Sequence, residues 1–178
     1  MSTRSLTAVV MVLIAVIGYT HSVAQEAPNL GRSATLAEVA GWDLSIPPDG
    51  TGLPPGNGTP EQGAAVYAQK CQACHGEKGA GQPNDQLVGG QGTLASASPV
   101  RTIGSYWPYA PTVFDYVRRA MPYTQPQSLT NDEVYAVTAY LLHLNGIIEA
   151  QDVMNAQTLP QVRMPNREHF ILAYPPPK

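Results

Sequence analysis

The sequence predicts an all-α domain with three main helices, placed between extended N- and C-terminal segments. The three main helical patterns all lie between residues 59 and 146, and no alternation of apolar and polar residues marks a strand. The chain has 178 residues, of which 16 are glycine and 17 are proline, so the connections should be long and irregular. The formal charge is −3 and no Lys/Arg cluster is present, which argues against nucleic acid as a partner.

The first 24 residues are predicted to be a cleavable secretory signal. Arg4 precedes an apolar run over residues 8–17, and Ser22-Val23-Ala24 has the small-residue pattern of a cleavage site. The alternative is a membrane anchor, but this run is well short of the roughly 20 apolar residues that cross a bilayer. We therefore expect cleavage after Ala24, export, and no membrane attachment of the mature chain.

The segments that flank the helical region are predicted to be extended. Residues 25–59 form a Pro/Gly-rich extension, because proline lacks an amide donor and glycine is entropically costly in a helix. Within it, residues 36–39 are expected to form a helical turn that Trp42 anchors by apolar burial. Residues 148–178 are predicted to form a C-terminal strap that frays at its end.

The first main helix is predicted to begin at Thr59 or Pro60 and to end at the cysteines. An N-cap candidate, a proline and an acid precede a run of good helix formers. Gly63, Tyr67 and Cys71 recur at four-residue spacing and therefore share one face.

The other two helices are predicted from their ends and their apolar spacing. Residues 112–120 have two cations in the last turn and stop at Pro122. The last helix starts with Thr130 and Glu133 as a capping box and ends at residues 145–146, an Asn-Gly pair. Its apolar residues follow at helical spacing: Val134, Val137, Leu141 and Leu144.

Residues 75–108 are predicted to be a loop, since glycines and prolines interrupt every helical or alternating pattern there. A structureless stretch of this length is unusual in a compact domain unless it wraps something. We expect it to wrap a cofactor.

One five-residue motif, Cys71-Gln72-Ala73-Cys74-His75, predicts that cofactor. Cys-x-x-Cys-His is the attachment site of c-type haem: each thiol bonds to one porphyrin vinyl group, and His75 becomes the proximal iron ligand. A thioredoxin-like dithiol would follow a buried strand, and no apolar strand precedes Cys71. A zinc site would need a second ligand pair, and the mature chain offers no further cysteine and only His143 and His169. The motif therefore predicts one covalently attached haem c.

The second axial ligand must come from another part of the chain. Suitable residues in the mature chain are Met121, Met154, Met164, His143 and His169. Met121 follows a short predicted helix and precedes Pro122, so it is the predicted ligand. Met164, which also precedes a proline, is the main rival. The alternative for any loop methionine is simple packing.

Together these residues resemble the class I cytochrome c family over residues 60–146. The resemblance rests on Gly63-x3-Tyr67-x3-Cys71-x2-Cys74-His75, on the loop methionine and on the terminal helix with Val137-x-Ala139-Tyr140-Leu141-Leu142. It implies three main helices around one covalent haem. The predicted cytochrome c domain comprises residues 60–147. The resemblance also implies that the first and last helices cross closely, with Gly63 and Tyr67 packed near Ala136, Ala139 and Tyr140.

A narrower resemblance covers most of the mature chain. Residues 87–94, 102–110, 120–123 and 159–167 are similar to the family of cytochrome subunits of Sox-type sulfane (sulfite) dehydrogenases. That family implies a periplasmic electron acceptor for a molybdenum-containing, sulfur-oxidising subunit. Fuller members of the family carry a second haem domain, whereas this chain has one Cys-x-x-Cys-His motif.

Other residues are predicted to support the haem. Two propionates need hydrogen bonds or cations, and a donor-rich cluster in the loop offers possible contacts: Arg101, Tyr106, Trp107 and Tyr109. The alternative is that these aromatic residues fill core volume. The cytochrome resemblance suggests that Pro83, or a backbone carbonyl beside it, orients His75.

The predicted function is transfer of single electrons, not catalysis by the chain on its own. No nucleophile with a paired base is visible in the sequence, and a six-coordinate iron leaves no position for a substrate. The expected partner is a molybdenum-containing sulfite or sulfane dehydrogenase subunit. Two alternatives remain: a freely diffusing carrier for another dehydrogenase, and a ligand-binding haem protein or sensor with a labile sixth ligand.

Overall fold

The computed structural model describes residues 30–171 and 173–174, so the predicted signal at residues 1–24 lies outside the described residues. The all-α prediction is confirmed, and the helices of this part of the chain are α1 (Leu36–Trp42), α2 (Pro60–Lys70), α3 (Gln72–His75), α4 (Ala110–Ala120) and α5 (Asn131–Leu144). A two-residue antiparallel pair, β1 (Asn57–Gly58) and β2 (Met154–Asn155), was not predicted. Short 3-10 turns occur at Glu77–Gly79, Leu159–Gln161 and Arg167–His169. Within the described residues, no helix is both long enough and apolar enough for a membrane span.

The chain divides into two compact units, and the boundary between Val39 and Ala40 falls within helix α1. It forms where a helical turn was predicted, but Trp42 is 90% exposed, so the prediction that this residue anchors the helix by burial is wrong. Local hydrogen bonds hold the start of α1 instead. The Glu38 carboxylate accepts from the Thr35 N–H at 2.8 Å and from Arg32 Nη1 at 2.8 Å. Arg32 is the main reason that the pKa of Glu38 falls to about 2.

Helices α2 and α5 approach closely because α2 has a glycine where they meet. A Cβ atom on Gly63 would lie 1.9 Å from the carbonyl oxygen of Ala136. One turn later, the rings of Tyr67 and Tyr140 are 5.4 Å apart. The close crossing implied by the cytochrome resemblance is therefore confirmed for Ala136 and Tyr140.

The helix starts follow from local capping. Thr59 caps α2 and forms a capping box with Gln62. The predicted box of Thr130 and Glu133 at α5 is confirmed, with the Thr130 N–H donating to the Glu133 carboxylate at 2.7 Å. Helix α4 begins at Ala110, two residues before the predicted start.

Both extended segments contribute to the core of the second unit, Ala40–Lys178. Met154, Leu159 and Met164 from the C-terminal strap are at most 4% exposed. In the N-terminal extension, Ile46 is 4% exposed, and its N–H donates to the Asp115 carboxylate of α4 at 2.8 Å. The strap and the extension therefore pack as parts of the domain.

Candidate functional site

The Cys-x-x-Cys-His motif occupies the turn that joins α2 to α3. Cys71 ends α2, and its N–H donates to the Tyr67 carbonyl at 2.9 Å. The Cys71 carbonyl then accepts from the N–H groups of Cys74 and His75 at 3.1 and 3.0 Å. One helical turn thus carries both sulfur atoms and the imidazole. Both cysteines are free thiols, Cys71 half-buried and Cys74 exposed.

Burial controls the ionisation of Cys71. It raises the pKa of this thiol to about 11, and the neighbouring Cys74 contributes in the same direction. The thiol is therefore protonated at neutral pH.

The imidazole of His75 is oriented by the chain that follows it. Its Nδ1 lies 2.9 Å from the Asp85 carbonyl oxygen, and a carbonyl can only accept, so Nδ1 carries the proton. Nε2 is then left with a free lone pair for a metal. The carbonyl belongs to Asp85, two residues beyond the predicted Pro83, whose own side chain is exposed.

Two further contacts fold the glycine-rich segment back on the motif. The Gly81 N–H donates to the His75 carbonyl at 2.8 Å, and the Asn84 N–H donates to the Cys74 carbonyl at 2.9 Å. Gly76 has a φ of +74°, and a Cβ atom there would lie 2.3 Å from the Gly81 carbonyl oxygen. The tight return of this loop therefore requires glycine at position 76.

Tyr67 connects the helical stripe of α2 to this turn. Its hydroxyl donates to the Gly76 carbonyl at 2.9 Å, and its side chain is 1% exposed. Burial raises the pKa of Tyr67 to about 12. The Tyr67 phenol therefore stays neutral and donates its hydrogen bond to the residue that follows the motif.

The candidate axial ligands lie in different environments. Met121 is half-buried at the C-terminal end of α4, where its N–H donates to the Val117 carbonyl at 3.0 Å. Met154 and Met164 are enclosed in the core at 4% and 2% exposure. His143 Nδ1 lies 3.2 Å from the Ile148 carbonyl, and His169 is exposed. Of the three methionines in the described residues, Met121 alone lies outside the buried core.

The four possible propionate contacts lie along one segment, and each has an aromatic or cationic neighbour. The Arg101 guanidinium is 5.8 Å from the centre of the Tyr106 ring, which in turn packs edge-on against Phe170. Arg167 lies 5.4 Å from the Tyr109 ring centre. Trp107 packs edge-on against Tyr116 at 5.8 Å. The sequence did not indicate the other three neighbours, because Tyr116 lies in α4 and Arg167 and Phe170 lie in the distant strap.

Asn145 holds the long loop against the end of α5, a role that the sequence did not reveal. Its side-chain Nδ2 donates to the carbonyls of Leu87 and Leu141, at 3.2 and 2.8 Å. Its Oδ1 accepts from the Gly89 N–H at 3.0 Å. Leu87 is two residues beyond Asp85, so Asn145 fixes the segment whose carbonyl orients His75. The sequence indicated Asn145 only as the end of a helix.

These donors fit a c-type haem. Two free thiols and an imidazole with an available Nε2 share one helical turn, and a thioether lies outside the core. That is the ligand set of a haem with His and Met axial ligands and two thioether bonds.

Three comparisons place the chain among known proteins. Residues 60–145 match the family model for cytochrome c. The fold is similar to the crystal structure of the sulfane dehydrogenase SoxCD from Paracoccus pantotrophus, with a TM-score of 0.77 and 45% identity over 84% of this chain and 72% of that chain. The chain is also 28% identical over 118 residues to a thiosulfate dehydrogenase from Psychrobacter arcticus, which covers 60% of this chain and 34% of that protein. The match thus spans about a third of the length of that curated relative.

Proposed function

The chain belongs to the cytochrome c family, and we propose that it is a periplasmic protein with one haem c that accepts single electrons from a molybdenum-containing sulfite or sulfane dehydrogenase subunit. The observation that carries this proposal is the 45% identity to the sulfane dehydrogenase SoxCD over 84% of the chain. The match to a thiosulfate dehydrogenase also favours inorganic sulfur compounds as the source of the electrons.

Four residues would hold the haem. Cys71 and Cys74 would be joined to it by thioether bonds, and His75 would bind the iron through Nε2. Met121 would supply its thioether sulfur as the second protein ligand of the iron. When bound, the haem supplies reversible exchange of one electron.

Other residues of the chain orient these ligands. The Asp85 carbonyl fixes the ring of His75 through Nδ1, which raises the basicity of the imidazole as an iron ligand. Tyr67 anchors the turn after the motif through the Gly76 carbonyl. A thioether ligand stabilises the reduced form, so we expect a positive reduction potential.

The test uses the full chain, expressed with its own N-terminus in a host that attaches haem c. The expected result is a reduced-minus-oxidised spectrum with one haem per chain, together with reduction by sulfite or a sulfane substrate only when the molybdenum subunit is added. Co-purification with that subunit supports a stable complex. Equal reduction by unrelated dehydrogenases would favour a freely diffusing carrier.

The same preparation distinguishes a carrier from a ligand-binding protein. The ferric protein should keep its far-red methionine–iron band in the presence of cyanide, and the ferrous spectrum should not change under carbon monoxide. Ready binding of either molecule would overturn the electron-transfer proposal in favour of a sensor with a labile sixth ligand.

Export is tested separately by the N-terminus of the mature protein. N-terminal sequencing of protein from the periplasmic fraction should begin at Gln25 if the signal ends at Ala24. A chain recovered intact in the membrane fraction would contradict both cleavage and periplasmic release.

A further inference from the structure

A cavity of about 160 Å³ lies outside the residues assigned to the haem. It is formed where the end of α4, the loop after it and the start of α5 meet. Its lining consists of Leu44, Arg118, Arg119, Gln127, Leu129 and Asn131. It is partly open to solvent, and its volume is sufficient for a small polyatomic ligand.

The lining of this Arg118 cavity is rich in hydrogen-bond donors. Two arginines, a glutamine, an asparagine and two leucines line it, and no carboxylate is among the lining residues. The Asn131 Nδ2 donates to the Pro55 carbonyl at 3.2 Å, which leaves Gln127 as the carboxamide without a hydrogen-bond partner in the part of the chain that the structure describes. Arg119 is neutralised by Asp115, to which its Nε and Nη2 donate at 2.9 and 2.6 Å. Half-buried Arg118 takes part in no ion pair among the residues that the structure describes. The cavity therefore has one uncompensated positive charge.

This donor set selects for an anion with several oxygen atoms. A guanidinium presents parallel N–H groups that match oxyanions, and charge-assisted bonds of this kind are roughly twice as strong as neutral ones. The polar lining residues come from three parts of the chain: α4, Gln127 in the loop after it, and Asn131 at the start of α5. A tetrahedral oxyanion has more acceptor atoms than a carboxylate, so it can accept from the Arg118 guanidinium and from the Gln127 carboxamide at the same time.

We propose that the Arg118 cavity binds a small divalent tetrahedral oxyanion of the sulfate or thiosulfate type. The ligand would connect both ends of the loop between α4 and α5, which begins at Met121. Gln127, in the wall of the cavity, has a φ of +61°, a strained value for a residue other than glycine, and such strain is often found where a ligand is clamped. The proposal does not depend on the identity of the electron donor.

The test is calorimetric titration of the haem-loaded full-length protein with sodium sulfate, at an ionic strength held constant with sodium chloride. We expect saturable binding of one sulfate per chain, and tighter binding of sulfate than of acetate. Sodium thiosulfate, whose anion is also tetrahedral and divalent, serves as a second ligand in the same titration. In parallel, NMR of the reduced protein should show sulfate-dependent shifts of the side-chain amides of Gln127 and Asn131.

Two variants of Arg118 make the test specific. Arg118→Gln should weaken sulfate binding at least tenfold, and Arg118→Lys should weaken it less, because lysine keeps the charge but loses the planar fork. Arg163→Gln, at an exposed cation paired with Glu168 at 3.7 Å, is the matched control and should bind as the wild type does. If Arg118→Gln does not fold, the sulfate affinity of Gln127→Ala is measured instead, and it should be lower than that of the wild type.

Three results would overturn the proposal. They are heats that do not saturate, an affinity for sulfate that Arg118→Gln leaves unchanged, and equal binding of acetate and sulfate. None of them would affect electron uptake from a molybdenum subunit, so failure here is distinguishable from failure of the proposed function.

Discussion

Gly63 determines how closely α2 and α5 can approach. Replacement by alanine would place a methyl group 1.9 Å from the Ala136 carbonyl oxygen, a backbone atom that can move only with the helix. We expect Gly63→Ala to lower the free energy of unfolding by at least about 2 kcal/mol. Denaturant unfolding measures the loss. The control is Gly41→Ala in α1, where a Cβ atom meets nothing within 4 Å and stability should be unchanged or slightly raised.

Met121 and Met164 look alike in the sequence, since each is followed by proline, but the structure predicts opposite effects of replacing them. Met121→Ala should abolish the ferric far-red band and lower the reduction potential, because it removes the proposed thioether ligand. Met164 is 2% exposed, so Met164→Ala should cost about 2–5 kcal/mol of stability and leave the band in place. Optical spectra and unfolding curves of both variants check this. Loss of the band in Met164→Ala would reverse the ligand assignment.

At the scale of single residues, the sequence predicts chemistry that depends on spacing along the chain. Cys71, Cys74 and His75 could be identified from the motif because its geometry is local to one helical turn. The partner of His75 could not, because it is a backbone carbonyl whose position depends on the path of the glycine-rich loop. The sequence indicated the neighbourhood of Pro83, and the carbonyl that accepts from Nδ1 belongs to Asp85.

At the scale of elements, the residue that caps the C-terminal end of α5 holds the loop over residues 87–104. Asn145 is 8% exposed and binds the carbonyl of Leu87 and the N–H of Gly89. Gly104 also packs on it, since a Cβ atom there would lie 2.2 Å from Asn145 Oδ1. Because Leu87 follows Asp85 closely, the end of α5 is coupled to the orientation of His75.

Asn145→Ala should loosen this loop. The change leaves the half-buried Gly89 N–H without its acceptor, which should cost about 1 kcal/mol. We expect faster hydrogen exchange at the Gly89 amide and a shifted reduction potential. Asn84→Ala, at an exposed asparagine of the same loop, is the matched control. A lower stability with an unchanged potential would show that Asn145 supports the fold without influencing the haem.

The helices were predictable from sequence because their ends are determined locally. The capping box of Thr130 and Glu133 lies within four residues, and it forms as predicted. The packing of Trp42 was not predictable, since a large apolar side chain indicates burial only on average. The pairing of β1 with β2 joins residues almost a hundred positions apart through two residues each, so no local pattern marked it.

At the scale of the whole molecule, the strap and the N-terminal extension complete a core that the three main helices leave open. Leu159 is fully buried, and the Ile46 N–H binds Asp115, whose carboxylate also pairs with Arg119. The sequence indicated these segments as flanking chain because their proline content excludes helices. Their burial depends on contacts with α4 and α5, which lie far away in the chain. A covalent haem would add further apolar surface to this small core.

Two tyrosines connect the stability of the whole domain to alkaline pH. Burial raises the pKa of both Tyr67 and Tyr135 to about 12, against about 10 in an unfolded chain. Below pH 10 both states keep these protons, so the stabilisation is complete. As pH rises from 10 through 12, the unfolded chain releases protons that the folded chain retains, and the free energy of unfolding must fall.

Tyr135→Phe separates this effect from other alkaline changes, including any at the iron. The variant should be less stable than the wild type at pH 8 by about 1 kcal/mol, because it loses the hydroxyl that donates to the Pro54 carbonyl at 2.9 Å. Its stability should nevertheless fall less steeply between pH 10 and 11.5, and the double variant with Tyr67→Phe should fall less steeply still. Urea unfolding at half-unit steps of pH measures the slopes, with Tyr123→Phe, at a phenol 83% exposed, as the control. Parallel slopes for the wild type and the double variant would show that the buried phenols do not control alkaline unfolding, and that another group loses its proton first.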